Sequence, residues 1–205
     1  MGLNHERAPM NDAESLERGL VLAGLDALRQ LKGDAVVRTV LGRAMTQDRT
    51  HRDNGSRVPL VDYLRYRDAV MDQIGDGFGD LAFETGRTLV RNLRHRRVDE
   101  LRVLVAHLGN TPSRLAVIGQ AAVLAARDNP GVVRAVMDGD ALLAVTILKC
   151  PECRGLKRET PFCFLNQGII TEFAGRYLGV RVRTQEAACI AAGAPFCRIE
   201  VTQPA

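Results

Sequence analysis

Leu16, Leu20, Ala23, Ala27 and Leu31 recur at steps of three and four and so share one face of a helix that stops at Gly33. A second helix is predicted from Asp34 to about Met45. The stretch TQDRTHRDNGSRVP, Thr46 to Pro59, is polar, carries Asn54-Gly55 and ends on proline, which predicts a surface loop. Further helices are expected at about Leu60–Ile74, Phe78–Leu93, Val98–His107 and Pro112–Arg127. The helix through Phe78, Ala82, Thr85, Leu89 and Leu93 is amphipathic. The one holding Leu115, Ala116, Val117, Ile118 and Val123 is apolar nearly all round, so it belongs in the centre of the domain.

After Asn129-Pro130 the period changes to two and β-branched residues take over. Val132–Met137, a turn at Asp138-Gly139-Asp140, and Leu142–Leu148 predict a hairpin, since Asp-Gly supplies the positive φ of a short turn. A helix follows from about Pro161 to Leu178, with Thr160 as its N-cap. A second hairpin, Val180–Thr184 and Phe196–Val201, has Cys197, Ile199 and Val201 facing one way and Arg198 and Glu200 the other. The expected fold is α+β: N-terminal helices, then hairpin, helix, hairpin, with the four strands forming one antiparallel sheet packed with helices. Residues 1–46 are expected to be a helical extension able to pair two copies into a homodimer, and 47–205 the domain proper.

The chain has 205 residues, 46% of them hydrophobic and 25% charged, enough to fill a core and too few charges for a disordered chain. No run of eighteen apolar residues exists, so no membrane span is expected, and the start lacks the basic-then-apolar order of a secretory signal. A cytoplasmic protein is expected. The net charge of +4 is that of an ordinary solvated surface and gives no reason to expect direct nucleic-acid binding.

All five cysteines lie between positions 150 and 197. In a reducing compartment such clustering points to metal ligands or redox groups rather than disulfides. Cys163 falls near a helix start, where free amides favour a thiolate. Glu186, Cys189 and Cys197 form E-x-x-C-x(7)-C across the last hairpin, whose connection can fold Cys197 back beside Cys189. With Cys163 they make a closed set of three thiolates and one carboxylate suited to structural zinc. Cys150 and Cys153, in C-P-E-C, are half of a common zinc site and offer an alternative all-thiolate set with Cys189 and Cys197. A redox pair or an iron–sulfur cluster would use the same residues, and spacing leaves the sets open.

The segment from Leu148 to Val201 resembles the C-terminal half of the 4-vinyl reductase domain family. The resemblance rests on Cys-Pro after a strand, Cys-x(4)-Gly at Cys163 and Gly168, Glu-x-x-Cys at Glu186 and Cys189, and Gly-x(3)-Cys at Gly193 and Cys197. The family includes archaeal hydrocarbon-binding proteins, sensor domains that respond to phenols and alkylbenzenes, and proteins of bacteriochlorophyll synthesis; its fold is shared with TRAPP subunits. The resemblance implies zinc on Cys163, Glu186, Cys189 and Cys197. The phenol sensors hold their ligand with a Trp and a His, and this chain has no Trp, which sets its ligand apart from theirs.

The remaining motifs have ordinary explanations. Leu101–Gly119 has the outline of a helix-turn-helix, but Leu115, Ala116, Val117 and Ile118 cannot read base edges. Arg94-His95-Arg96-Arg97 suits a helix C-terminus, and His107 among apolar residues suits a hydrogen-bonded core position. The glycines of Gly75–Gly79 lie between helices and not after a strand, which argues against a nucleotide loop. The functional expectation is a zinc-containing domain enclosing a lipophilic, aromatic or tetrapyrrole-like molecule as sensor or carrier, with Phe78, Phe83, Leu115, Ile118, Leu142 and Phe173 as candidate lining. The alternatives are an enzyme or substrate carrier of tetrapyrrole synthesis and a TRAPP-like interaction module. No acid–base pair or cofactor motif is visible, so turnover is not expected.

Overall fold

The computed structural model describes residues 15–44, 57–92, 111–125, 133–139 and 141–204. The helix expected over Val98–His107, His107 itself, Arg94–Arg97 and the loop Thr46–Ser56 lie outside them. The described elements are β1 (Ser15–Glu17), α1 (Arg18–Lys32), α2 (Asp34–Ala44), β2 (Arg57–Pro59), α3 (Leu60–Ile74), α4 (Phe78–Arg91), α5 (Thr111–Ala125), β3 (Val133–Asp138), β4 (Leu142–Ile147), α6 (Phe164–Leu178), β5 (Arg183–Ala188) and β6 (Cys197–Thr202). The fold is α+β with a four-stranded antiparallel sheet. No described helix is long and apolar enough to cross a membrane.

Sheet order is β3-β4-β6-β5, so the two hairpins join through the inner pair β4 and β6. Gly139, at φ 65°, makes the tight turn between β3 and β4. Direct partners across β4 and β6 are Leu143 with Val201, Val145 with Ile199, and Ile147 with Cys197, which puts all six on one face. All six are buried, and burying each large aliphatic side chain contributes ~1.5–3 kcal/mol. Arg198 and Glu200 point the other way and pair at 3.2 Å. On the covered face α5 lies close: a Cβ on Gly119 would stand 3.0 Å from Ala135 Cβ and Leu143 Cδ1.

The stripe of α1 is taken up within this chain. Ala23, Ala27 and Leu28 are fully buried, α1 packs against α4, and Leu22 and Leu31 remain as its exposed large hydrophobic residues. Leu16, expected in the helix, instead pairs with Val58 in the short β1–β2 ribbon. Three-residue strands are too short to leave a period in the sequence. α4 and α6 run so close that Gly86 meets the Leu165 carbonyl and Gly168 the Phe83 carbonyl with no room for a Cβ on either. This contact fixes where the start of α6 stands relative to the sheet.

Candidate metal centre

Three segments bring the cysteines together at one end of the buried sheet face. The first is the loop after β4, which carries Cys150, Pro151, Glu152 and Cys153. Arg67 of α3 holds it: buried to 4% exposure, its Nη1 donates to the carbonyls of Pro151 (3.3 Å), Glu152 (2.8 Å) and Arg154 (2.9 Å). Its Nη2 pairs with Asp68 at 2.6 Å. One guanidinium thus satisfies three carbonyls that would otherwise be orphaned where the loop turns inward.

The second segment is the approach to α6. The sequence places the helix start at Thr160-Pro161, but the first helical residue is Phe164 and Cys163 is the N-cap, at φ −83° and ψ 50°. Two contacts delay the helix. Phe162 stacks on Phe78 at 5.1 Å with the rings 2° from parallel, and the Cys163 N–H donates to Glu186 Oε2 at 2.6 Å. Cys163 is thereby turned into the cluster instead of along the helix.

The third segment is the β5–β6 connection. A bulge between Glu186 and Ala188 re-aims the strand end, so that Glu186 and Cys189 both reach the same side. Gly193, at φ 92°, lets the chain return, with the Gly193 and Ala194 amides bonded to Ile190 and Cys189 carbonyls at 3.0 Å. Cys197 then opens β6, its sulfur accepting the Ile190 N–H at 3.3 Å.

The ligand atoms of Cys153, Cys163, Glu186, Cys189 and Cys197 all lie within 4.8 Å of one another. Sulfur–sulfur distances are 3.3 Å for Cys153–Cys163, 3.5 Å for Cys153–Cys189, 3.6 Å for Cys153–Cys197 and 3.3 Å for Cys150–Cys163. All five thiols are free and at most 2% exposed. The structure thus gathers Cys163, Glu186, Cys189 and Cys197 in one place and adds Cys153, with Cys150 against its edge. Glu186 Oε1 is buried without a hydrogen-bond partner. Crowding shows in the protonation of the donors: hydrogen bonds to Cys150, then to Cys153 and Cys197, hold the Cys163 thiol far above its ordinary range. Burial raises Glu186, against the pull of the Cys163 N–H. A cation would relieve both, and the donor set of soft thiolates with one carboxylate fits zinc.

Beside the cluster lies a cavity of about 30 Å³, lined by Leu20 and Gly24 of α1, Tyr63, Tyr66, Arg67 and Val70 of α3, Phe78, Leu81, Ala82 and Thr85 of α4, and by Glu152 and Leu165. Glu152 is common to both sites. It is 2% exposed, accepts Tyr63 Oη–H at 3.4 Å and the Leu165 N–H at 3.3 Å, and burial pushes its pKa up to about 8. Of the sequence candidates for lining, only Phe78 lines this cavity. Phe83 is on α4 with its carbonyl against Gly168, Leu115 and Ile118 are buried on α5, Leu142 is half-buried at the start of β4, and Phe173 packs on Tyr177 at 5.4 Å. Sequence inspection passes over Tyr63, Arg67 and Glu152. The available signal is the helical stripe Tyr63, Tyr66, Arg67, Val70, which places a charged residue on the buried face of α3.

Comparison with known proteins places the fold and the cysteine-bearing segment. The chain is similar to an H-NOX protein from S. oneidensis in the Fe(II)NO ligation state, at 14% identity and TM-score 0.65, over 93% of this chain and 100% of that one. It is similar also to the unliganded Fe(II) H-NOX protein from K. algicida, at 9% identity and TM-score 0.64, over 93% of this chain and 97% of that one. At such identities the likeness is one of fold. Among curated proteins none matches. The family model of the 4-vinyl reductase domain matches residues 143–203, so the stretch from β4 through β6 that carries every cysteine belongs to that domain family, the one whose motifs the sequence resembles.

Proposed function

We propose that this chain is a zinc-containing domain that binds a small lipophilic or aromatic molecule in the helical half and serves as a sensor or carrier. The observation that carries it is the buried donor cluster, in which Cys163, Glu186, Cys189 and Cys197 converge and one carboxylate oxygen is left without a partner. Buried polar groups are normally satisfied, and a Zn–O bond would satisfy this one. Donors within 4.8 Å of one another fit ions bonded directly to sulfur at ~2.3 Å; a cubane iron–sulfur cluster spreads its cysteines over four outer corners and needs a wider cage.

The cavity supplies the binding half of the proposal. Apolar side chains make up most of its wall, with Tyr63, Tyr66, Arg67 and Glu152 giving a few polar groups, the usual make-up of a small-molecule site. At about 30 Å³ it has room for a water or two. A larger ligand therefore enters by moving α1 away from α3. Because Arg67 and Glu152 belong to both the cavity and the cysteine loop, such a movement is felt at the metal centre. That linkage is how occupancy would be signalled.

The H-NOX neighbours are described by their iron ligation states and by haem distortion. Haem is accordingly the comparison ligand in the test. Protein purified from zinc-supplemented cells is assayed for zinc by elemental analysis, then screened by thermal shift against alkylbenzenes, phenols, tetrapyrroles and haemin, with each compound recovered and identified by chromatography. Bound zinc and a raised melting temperature with unchanged compounds support the proposal. Absence of metal, or chemical conversion of a compound, overturns it.

A further inference from the structure

We propose that the cysteine cluster holds two thiophilic divalent ions that share an edge of donors, the second ion sitting on Cys150 and Cys153. The proposal rests on the zinc assignment above and concerns the two cysteines that this assignment leaves unused. One tetrahedral ion on Cys163, Glu186, Cys189 and Cys197 occupies four donors. Cys150 and Cys153 are nevertheless packed into the same space, at 2% and 0% exposure. Both of their sulfurs stand 3.3 Å from Cys163 Sγ, and Cys153 stands 3.6 Å from Cys197 Sγ. In a tetrahedron of sulfurs at ~2.3 Å from zinc the edges are ~3.8 Å, so these spacings are close to those of donors sharing an ion.

The donor count agrees. Two tetrahedra with a common edge require six donors, and five cysteines with Glu186 supply that number. Cys163 and Cys197 form the common edge, since Cys163 touches both surplus sulfurs and Cys197 touches Cys153. Cys150 and Cys153 complete the second ion; Glu186 and Cys189 complete the first. Charge points the same way. Six anionic donors around a single divalent cation would leave a large negative surplus in a buried site, which a second cation halves. The outer contacts are of the kind that orient metal-bound thiolates: Ile190 N–H donates to Cys197 Sγ at 3.3 Å, and Asn166 Nδ2 approaches Cys150 Sγ at 3.8 Å. The C-P-E-C loop is held against the cluster by Arg67, so the second pair of thiols is positioned before metal arrives.

The experiment counts zinc in the full chain after passage over a chelating resin, by elemental analysis against amino-acid analysis and by native mass spectrometry. Two ions per chain are expected, falling to one in the Cys150→Ser/Cys153→Ser variant. Cadmium exchanged into the wild-type protein gives a reading that needs no variant to fold: two cadmium NMR resonances, each coupled to the other through the shared thiolates. One ion per chain, or one cadmium resonance, overturns the two-ion proposal and leaves the single zinc standing. No bound ion removes the zinc assignment and this proposal together.

Discussion

The backbone N–H of Cys163 donates to Oε2 of Glu186 at 2.6 Å, and Oε1 of the same carboxylate is buried with no partner. One side chain therefore both caps the segment entering α6 and turns its free oxygen toward three sulfurs. Cys163→Ser, Cys189→Ser and Cys197→Ser are each expected to lose zinc and soluble yield, because a removed ligand leaves the remaining buried thiolates uncompensated. Glu186→Gln keeps an oxygen for the Cys163 amide but drops the charge. It should fold and release zinc to a chromophoric chelator at least about tenfold faster than wild type, the lower end of what losing a metal contact costs. Equal release rates would mean that the carboxylate is no ligand.

Gly86 and Gly168 are the second point at which a single atom decides the structure. A Cβ on either would collide with a carbonyl of the facing helix, and a backbone cannot swing aside as a side chain can. Gly86→Ala and Gly168→Ala are each expected to cost about 2–3 kcal/mol in urea unfolding, at the upper end of overpacking. Gly175, also on α6, has open space around it. Gly175→Ala should be neutral or stabilising by ~0.5–1 kcal/mol, as expected of alanine for glycine in a helix. A similar cost at all three would refute the close-crossing explanation.

These two cases mark how much the sequence discloses. Periodicity locates α3, α4, α5 and the β3–β4 hairpin within a few residues, because each has a long enough buried stripe or a clear enough turn to be read: Val133 to Ile147 folds back at Gly139, and Phe78 to Val90 repeats at helical spacing. Motif spacing brings together Cys163, Glu186, Cys189 and Cys197. It does not disclose that Cys153 joins them, since that depends on how far the C-P-E-C loop folds inward. The loop's course is set by Arg67, 85 residues before the Glu152 carbonyl that it holds. The late start of α6 is hidden for a similar reason: Thr160-Pro161 is a good local start, overruled by the stacking of Phe162 on Phe78. Long-range contacts of single side chains have no period to read.

The helix crossing also sets a pH dependence. Glu172 of α6 accepts from Arg91 Nε at 3.0 Å and Arg87 Nε at 2.9 Å, both on α4. Burial pushes the Glu172 pKa up, but the hydrogen bonds and charges of Arg91 and Arg87 outweigh it and hold it below the ordinary 4.5. A carboxylate with a lowered folded pKa contributes stability above its unfolded pKa and loses it as pH falls through the folded value. Glu172→Gln is therefore expected to lose about 1 kcal/mol at neutral pH, a modest figure because the arginines are about one-third exposed. The difference from wild type should vanish in acid. A gap that persists well below the ordinary carboxylate pKa would assign the effect to packing.

The cavity is bounded where α1 meets α3, and there Gly24 faces Tyr66. A Cβ on Gly24 would stand 2.5 Å from the Tyr66 hydroxyl, so the two helices approach as far as a glycine allows. Tyr66 is buried to 9% exposure and burial raises its pKa, so its hydroxyl stays protonated and can donate to a ligand. Gly24→Ala should destabilise the empty protein by about 1–3 kcal/mol, the usual cost of overpacking. Tyr66→Phe in the same chain removes the oxygen and should restore most of that loss, a coupling readable as a double-mutant cycle in melting temperature. Ligand response separates the two roles of the pair. If compounds bind in this cavity, Gly24→Ala should abolish the thermal shift that they give to the wild type. Tyr66→Phe alone should weaken it for compounds bearing a hydrogen-bond acceptor and spare it for pure hydrocarbons. An undiminished shift in Gly24→Ala would place the ligand elsewhere in the fold.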